Sequence, residues 1–225
     1  MVALPAKPLD ISASPARFIY ITGCDGTGKT TQSCLLFERF QTAGVKARRV
    51  WLRFPFFFSL PLLAYARWRG LSWYEQSGEV RYGYWDFSRS RLLQEVLPWL
   101  LLLDAALAGI PKIYLPLWRG ETVICERFIL DMLVDLGVAF GNNELYRKLP
   151  GRLYLKLLPR NARIFILDLD ANTIRKRRAD LLADKRLETR LEAYRSLSNN
   201  LSLRVFSSAL PVNAVNELIE REVVA

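Results

Sequence analysis

The apolar run Phe18-Ile19-Tyr20-Ile21 leads through Thr22 into Gly23-Cys24-Asp25-Gly26-Thr27-Gly28-Lys29-Thr30-Thr31. This nonapeptide fits the pattern G-x-x-x-x-G-K-S/T placed between a strand and a helix. Glycines let the backbone curl so that successive N–H groups face phosphate oxygens, and the helix that follows adds its positive end. Gly23, Asp25, Gly26, Thr27, Gly28, Lys29, Thr30 and Thr31 therefore form a candidate ATP-binding set. Lys29 would reach the β- and γ-phosphates, and the Thr30 hydroxyl would ligate Mg2+. The plain alternative is a Gly-rich turn that merely links strand to helix, and the spacing, the Lys-Thr pair and the flanking elements all argue against it.

A second chemical anchor is Val123-Ile124-Cys125-Glu126, an apolar strand that ends in a carboxylate where a triphosphate site needs an acid near its metal. Glu126 joins Thr30 as a candidate metal residue. Arg127 follows at once, and a guanidinium at a strand end suits an anionic acceptor. Neighbouring side chains on a strand point to opposite faces, so an unrelated surface pair is the competing reading. Further on, Arg175, Lys176, Arg177, Arg178, Lys185, Arg186 and Arg190 crowd one helical stretch. Such a run is often just a solvated face. Following a phosphate loop and a strand-end acid, it reads better as a mobile lid that lends an arginine to the migrating phosphoryl group, with Arg175, Arg177 and Arg178 as candidates.

These groups must be positioned by a fold, and the pattern along the chain supplies one. Strand-like runs at 17–22, 47–52, 122–126, 163–169 and 203–207 alternate with helical segments at 29–43, 85–108, 173–200 and 211–223. The alternation predicts a five-stranded parallel sheet with helices on both faces. Gly44 is placed to close the first helix and Asp184 to break the Arg-rich one. No repeat or linker divides the chain, so residues 1–225 are expected to form a single domain, with 1–16 as an N-terminal extension and about 171–195 as the lid.

Composition sets outer limits. The chain has 225 residues, 51% of them apolar, with 32 Lys plus Arg against 22 Asp plus Glu, a formal charge of +10 that favours anionic partners. It has no histidine, which excludes Ser-His-Asp and His-metal chemistry and leaves carboxylates, Lys, Arg, backbone amides and oxygen-held metals. Cys24, Cys34 and Cys125 cannot all pair, so a reducing, cytoplasmic setting is expected. Residues 1–16 lack the long apolar segment of a signal peptide or anchor. The stretch 92–118 is apolar but interrupted by Asp104, Pro111 and Lys112, and is expected to be a buried core helix rather than a membrane span.

The same residues resemble the thymidylate kinase family. The match runs through Phe18 to Gly44, with its loop and Gln32, and through Val123 to Phe128, which is similar to that family's strand-end Asp-Arg-Tyr motif. Similar order continues over 163–170 and the Arg-rich segment, about two-thirds of the chain. The resemblance implies a P-loop NTPase fold with a five-stranded parallel sheet and an Arg-rich helical lid. It implies Asp25 against the acceptor's sugar and Arg127 on the acceptor's phosphate. Leu52-Arg53-Phe54-Pro55 would line the acceptor pocket, and Ser207 would lie beside adenine. Gly26 follows the loop acid where one branch of the family carries a catalytic arginine, so the chain is similar to the lid-arginine branch. The family's central-helix arginine falls near Asp104-Ala105 here, with Arg89 or Arg91 as substitutes, and the residues after Arg127 also depart from the family pattern.

The sequence-level reading is thus ATP- and Mg2+-dependent phosphoryl transfer to a nucleoside monophosphate, dTMP favoured. The catalytic candidates are Lys29, Arg127, Arg175, Arg177 and Arg178, and the acceptor candidates are Asp25, Arg53, Phe54, Arg89 and Arg127. The alternatives are another phosphate- or hydroxyl-bearing acceptor, or a nucleotide-binding regulatory module. Neither nucleic acid nor membrane is expected as a partner. Dimerisation is implied by the resemblance, with the apolar helix 85–108 as its face, and the Phe-rich segment 54–63 stays open between base stacking, a dimer face and core.

Overall fold

A computed structural model describes residues 16–224, so most of the expected N-terminal extension lies outside the described residues. Five parallel strands, β1 (Phe18–Gly23), β2 (Ala47–Trp51), β5 (Thr122–Glu126), β6 (Ala162–Asp168) and β7 (Val205–Ser207), form one sheet in the order β2-β5-β1-β6-β7. Their ends fall within two residues of the expected runs. β1 and β5 are buried along their whole length, as strands covered on both faces must be.

Each face of the sheet carries its own core. On one, Ile19, Ile21, Ile124 and Phe165 pack with Leu36 and Phe40 of α1 (Lys29–Thr42) and with Ile219 of α9 (Val212–Val224). On the other, Phe18, Tyr20, Val123 and Cys125 pack with α3 (Arg91–Gly109), α5 (Ile129–Phe140) and α8 (Leu187–Asn200). The three cysteines are free thiols.

Four elements were not foreseen. Two are α5 and α6 (Leu149–Lys156). The third is α2 (Leu60–Trp68), and the fourth is an antiparallel hairpin, β3 (Ser72–Ser77) with β4 (Val80–Trp85), turning at Gly78 with φ of 60°. The expected helix from Trp85 therefore begins six residues later. Trp85 ends β4, and Ser90, in extended conformation, caps α3 by accepting from the Leu93 amide at 3.4 Å. At its other end α3 does not stop at Pro111. It passes through a wide helical turn, 110–114, into α4 (Leu115–Trp118), giving an unbroken run from Arg91 to Trp118. A wider turn accommodates a proline ring and its missing donor. Among the described residues this run alone is long and apolar enough to cross a membrane by length and composition, and 44% of its most apolar stretch is buried.

The Arg-rich stretch is broken as expected around Asp184, into α7 (Ala171–Arg177), a short turn at 179–181, and α8.

Candidate functional site

The site lies at the carboxyl edge of the sheet, where β1, β5, β2 and β6 end and their loops meet. The loop from β1 to α1 holds Gly23, Gly26 and Gly28 at φ of 136°, 84° and 89°. At Gly23 a side chain is excluded twice over, because a Cβ there would stand 2.3 Å from the Leu167 carbonyl oxygen of β6. Thr27 clasps the loop by donating its hydroxyl to the Cys24 carbonyl at 2.8 Å.

Lys29 is buried, donates to the same Cys24 oxygen at 2.6 Å, and stands 3.9 Å from Asp25. Burial lowers its ammonium pKa below the ordinary lysine value. Thr30, one residue on, donates to Glu126 at 2.8 Å. Glu126 also accepts from Ser33 and, at 2.7 Å, from Arg49 of β2. Burial pushes the Glu126 carboxyl up, but these three bonds outweigh it and hold the group ionised below the ordinary glutamate value.

Arg127 settles whether Glu126 and Arg127 form a mere surface pair. The chain leaves β5 at Arg127 in a left-handed conformation, φ 60°, so strict alternation ends there and both side chains line one cavity. Such a conformation costs a non-glycine residue about 1–2 kcal/mol. The offset is an ionic cluster. Arg127 pairs with Asp25 and, at 3.2 Å, with Asp131, while Arg53 stands 3.8 Å from Asp25 and pairs with Asp135 at 2.8 Å.

Asp131 is wholly buried and accepts from Tyr20 at 2.6 Å, Thr22 at 2.8 Å and Tyr194 at 2.7 Å. Burial alone would raise its pKa, but the Arg127 charge and the Tyr20 hydrogen bond bring it below the ordinary aspartate value. The Tyr20 hydroxyl in turn accepts from the Phe128 and Leu130 amides, 3.0 and 3.1 Å away. One buried hub thus fastens β1, α5, α8 and Arg127 together.

Two cavities open on these groups. The larger, about 710 Å3, is lined by Asp25 to Gln32, Arg53, Glu126, Arg127, Arg177, Arg178 and Ser208. The smaller, about 220 Å3, is walled by Phe54, Tyr84, Trp85 and Phe87 and carries Arg53, Asp135, Arg186 and Arg190. Arg53 lines both, and with Phe54 it also borders a third, about 600 Å3.

The structure therefore brings together Gly26, Thr27, Gly28, Lys29, Thr30, Thr31, Asp25, Arg53, Glu126, Arg127, Arg177 and Arg178, with Phe54 next door. It leaves four others out of these walls, the first being Gly23, which sits at the base of the loop and lines neither cavity. Arg175 is engaged by Glu188 at 2.6 Å and lines neither cavity. Arg89 is exposed in the turn before α3, away from both. At Ser207 it is the neighbour, Ser208, that faces the larger cavity, where its carbonyl accepts from Arg177 at 3.1 Å. Of the remaining lid candidates, Arg178 is tied to Asp180 at 2.6 Å.

Sequence reasoning missed Arg49, Asp131, Asp135, Tyr84 and the placement of Arg186 and Arg190 around the smaller cavity. Asp131 and Asp135 stand four and eight residues beyond Arg127, a helical spacing that could have marked them. No comparable signal marks Arg49 or Tyr84.

A hard divalent cation prefers oxygen ligands and keeps several waters. Thr30 and Glu126 offer two oxygen groups 2.8 Å apart facing the larger cavity, so the donor set fits Mg2+, with its other positions left to phosphate oxygens and water. Among the described residues no three His, Cys, Asp or Glu side chains converge to hold a metal without such help. Compared with known proteins, the chain matches no protein-family model and no curated sequence.

Proposed function

We propose that this chain is a P-loop phosphotransferase of thymidylate-kinase type, cytoplasmic, that moves a phosphoryl group from ATP to a nucleoside monophosphate, with dTMP the first candidate. The carrying observation is that three cations, Lys29, Arg53 and Arg127, share one cavity with a loop of left-handed glycines and the Thr30–Glu126 pair. Bound ATP with Mg2+ would supply the activated phosphoryl group and screen its charge.

The chain's own groups carry out the rest. The Lys29 ammonium exchanges the Cys24 carbonyl for phosphate oxygens, a stronger charge-assisted acceptor. Thr30 and Glu126 would hold the metal. Arg127 and Arg53, aligned by Asp131 and Asp135, orient the acceptor's phosphate, and Asp25 faces its sugar. Tyr84, Trp85 and Phe54 wall the adjoining cavity, where a base would stack against aromatic faces. Arg177, released from the Ser208 carbonyl, neutralises charge on the migrating group. No general base is needed, because an acceptor phosphate is already anionic at neutral pH.

One observation favours a second acceptor class. Asp25 is partly exposed within the same cavity, and a carboxylate there suits a hydroxyl acceptor's proton. Both readings are tested by incubating the protein with γ-labelled ATP, Mg2+ and a panel of acceptors containing dTMP, dUMP and phosphate-free alcohols. Label on a nucleoside monophosphate, abolished in Lys29→Ala with an unchanged circular dichroism spectrum, is the expected result. Label on an alcohol alone would replace the acceptor, and full transfer by Lys29→Ala would overturn the assignment.

A further inference from the structure

The site accounts for the buried face of the long helix but not for what lies on its other side. Leu93, Leu97, Leu101, Ala105 and Ala108 of α3 are buried, whereas Leu92, Val96, Trp99, Leu103, Leu107 and Ile110 form an exposed stripe at helical spacing. Beside it, the buried Asp104 accepts from the amides of Phe57, Phe58 and Ser59 at 2.8–3.1 Å, which pins the Phe-rich segment against α3. The rings of Phe57 and Phe58 stay exposed. A largely apolar cavity of about 600 Å3, bordered by Arg53 and Phe54 on its inner side and by Phe57, Phe58, Leu107 and Lys112 on its outer side, makes the two areas continuous. The Phe-rich segment is thus mostly surface, and so large an apolar face on a folded chain marks an interaction site.

Charge and tryptophan placement say with what. Residues 51–74 hold three arginines and no acid, and 87–120 hold Arg89, Arg91, Lys112 and Arg119 against Glu95 and the buried Asp104. Arg69, Lys112 and Arg119 are exposed and form no ion pair among the described residues. Trp68, 79% exposed, and Trp118, 76% exposed, each precede one of these arginines. Amphipathic rings beside cations are the anchors of a membrane–water interface, and unpaired cations complement anionic headgroups.

We propose that this face, built from the Phe-rich segment and the outer stripe of α3 and α4, docks the protein peripherally on an anionic lipid bilayer, in place of the sequence-level expectation that no membrane takes part. The helix lies on the bilayer and does not span it, since its inner stripe is core and Asp104 is bound to the chain. A second copy fits the face poorly. A two-fold contact is the same face met by itself, and this face offers Arg69, Lys112 and Arg119 no free acid, since the exposed Glu95 already pairs with Arg91 at 3.1 Å.

The test is flotation of the full chain with phosphatidylcholine vesicles, with and without phosphatidylglycerol. The chain is expected to float with the anionic vesicles, less so as salt rises, with a blue shift in tryptophan emission. Phe57→Asp/Phe58→Asp and Lys112→Glu/Arg119→Glu should each lower partitioning by about tenfold or more while unfolding at the parent's temperature. Lys29→Ala should float like the parent, so this result stands apart from the phosphotransferase reading. A chain that stays in solution with anionic vesicles, or floats equally well in both double variants, overturns the proposal. So does a dimer that does not float and that Phe57→Asp/Phe58→Asp splits.

Discussion

Lys29, Arg127 and Arg53 owe their positions to carboxylates and carbonyls that sequence spacing hardly shows. Asp131 is the sharpest case. It is wholly buried, and its removal leaves Arg127 with one fewer anion in a site closed to water. Breaking one side of such a buried pair costs about 3–5 kcal/mol, so Asp131→Asn should lower unfolding free energy by about 3 kcal/mol in urea denaturation. The sign with pH follows from its lowered pKa in the fold. The contribution is fully present above the ordinary aspartate pKa, about 3.9, and is lost as pH falls through the lower folded value. The stability gap between parent and variant should therefore narrow on acidification, and a gap that is constant with pH would contradict this account of Asp131. The residues that touch phosphate in the proposed reaction were legible, because their types and spacing carry the chemistry. Asp131 was marked only by its four-residue spacing from Arg127, because the rest of its role exists only where β1, α5 and α8 meet.

At the scale of elements, the loop between β1 and α1 makes a graded claim. A methyl group on Gly28 would find no heavy atom within 4 Å, so Gly28→Ala meets only the left-handed backbone cost of about 1–2 kcal/mol. A methyl on Gly23 would strike the backbone of β6, which neighbours β1 in the sheet. Gly23→Ala should consequently cost several times more in thermal denaturation, or fail to fold, and equal losses would show that the loop is not packed as described. The five sheet strands were legible because apolar runs bounded by turn residues are a strong signal. The hairpin was not, since its alternating aromatic and polar residues also read as a binding surface. Its strands pair only because Gly78 permits the turn and Trp73 packs on Tyr84 with ring centroids 5.8 Å apart. The expected helix end at 108 lies one residue from the end of α3 at Gly109, and the continuation through a widened turn into α4 was not legible, because a proline within an apolar run does not by itself show whether a helix resumes beyond it.

Over the whole molecule, sheet order explains why distant stretches share one site. β1 is central with β5 and β6 on either side, and the chain leaves β1 over one face through α1 but leaves β5 and β6 over the other through α5 and α8, opening a crevice at the carboxyl edge. Into that crevice come the glycine loop, Arg53 after β2, Glu126 at the end of β5 with Arg127 just beyond it, and Arg177 after β6. The central claim is that this crevice grips a triphosphate through the β1–α1 loop and Lys29. Isothermal titration of the full chain with ATP and Mg2+ tests it most directly. The account expects one saturable binding event per chain in the parent and at least about a hundredfold weaker binding in Lys29→Ala, from loss of a buried charge-assisted contact. No heat with the parent, or equal affinity in the variant, would contradict it.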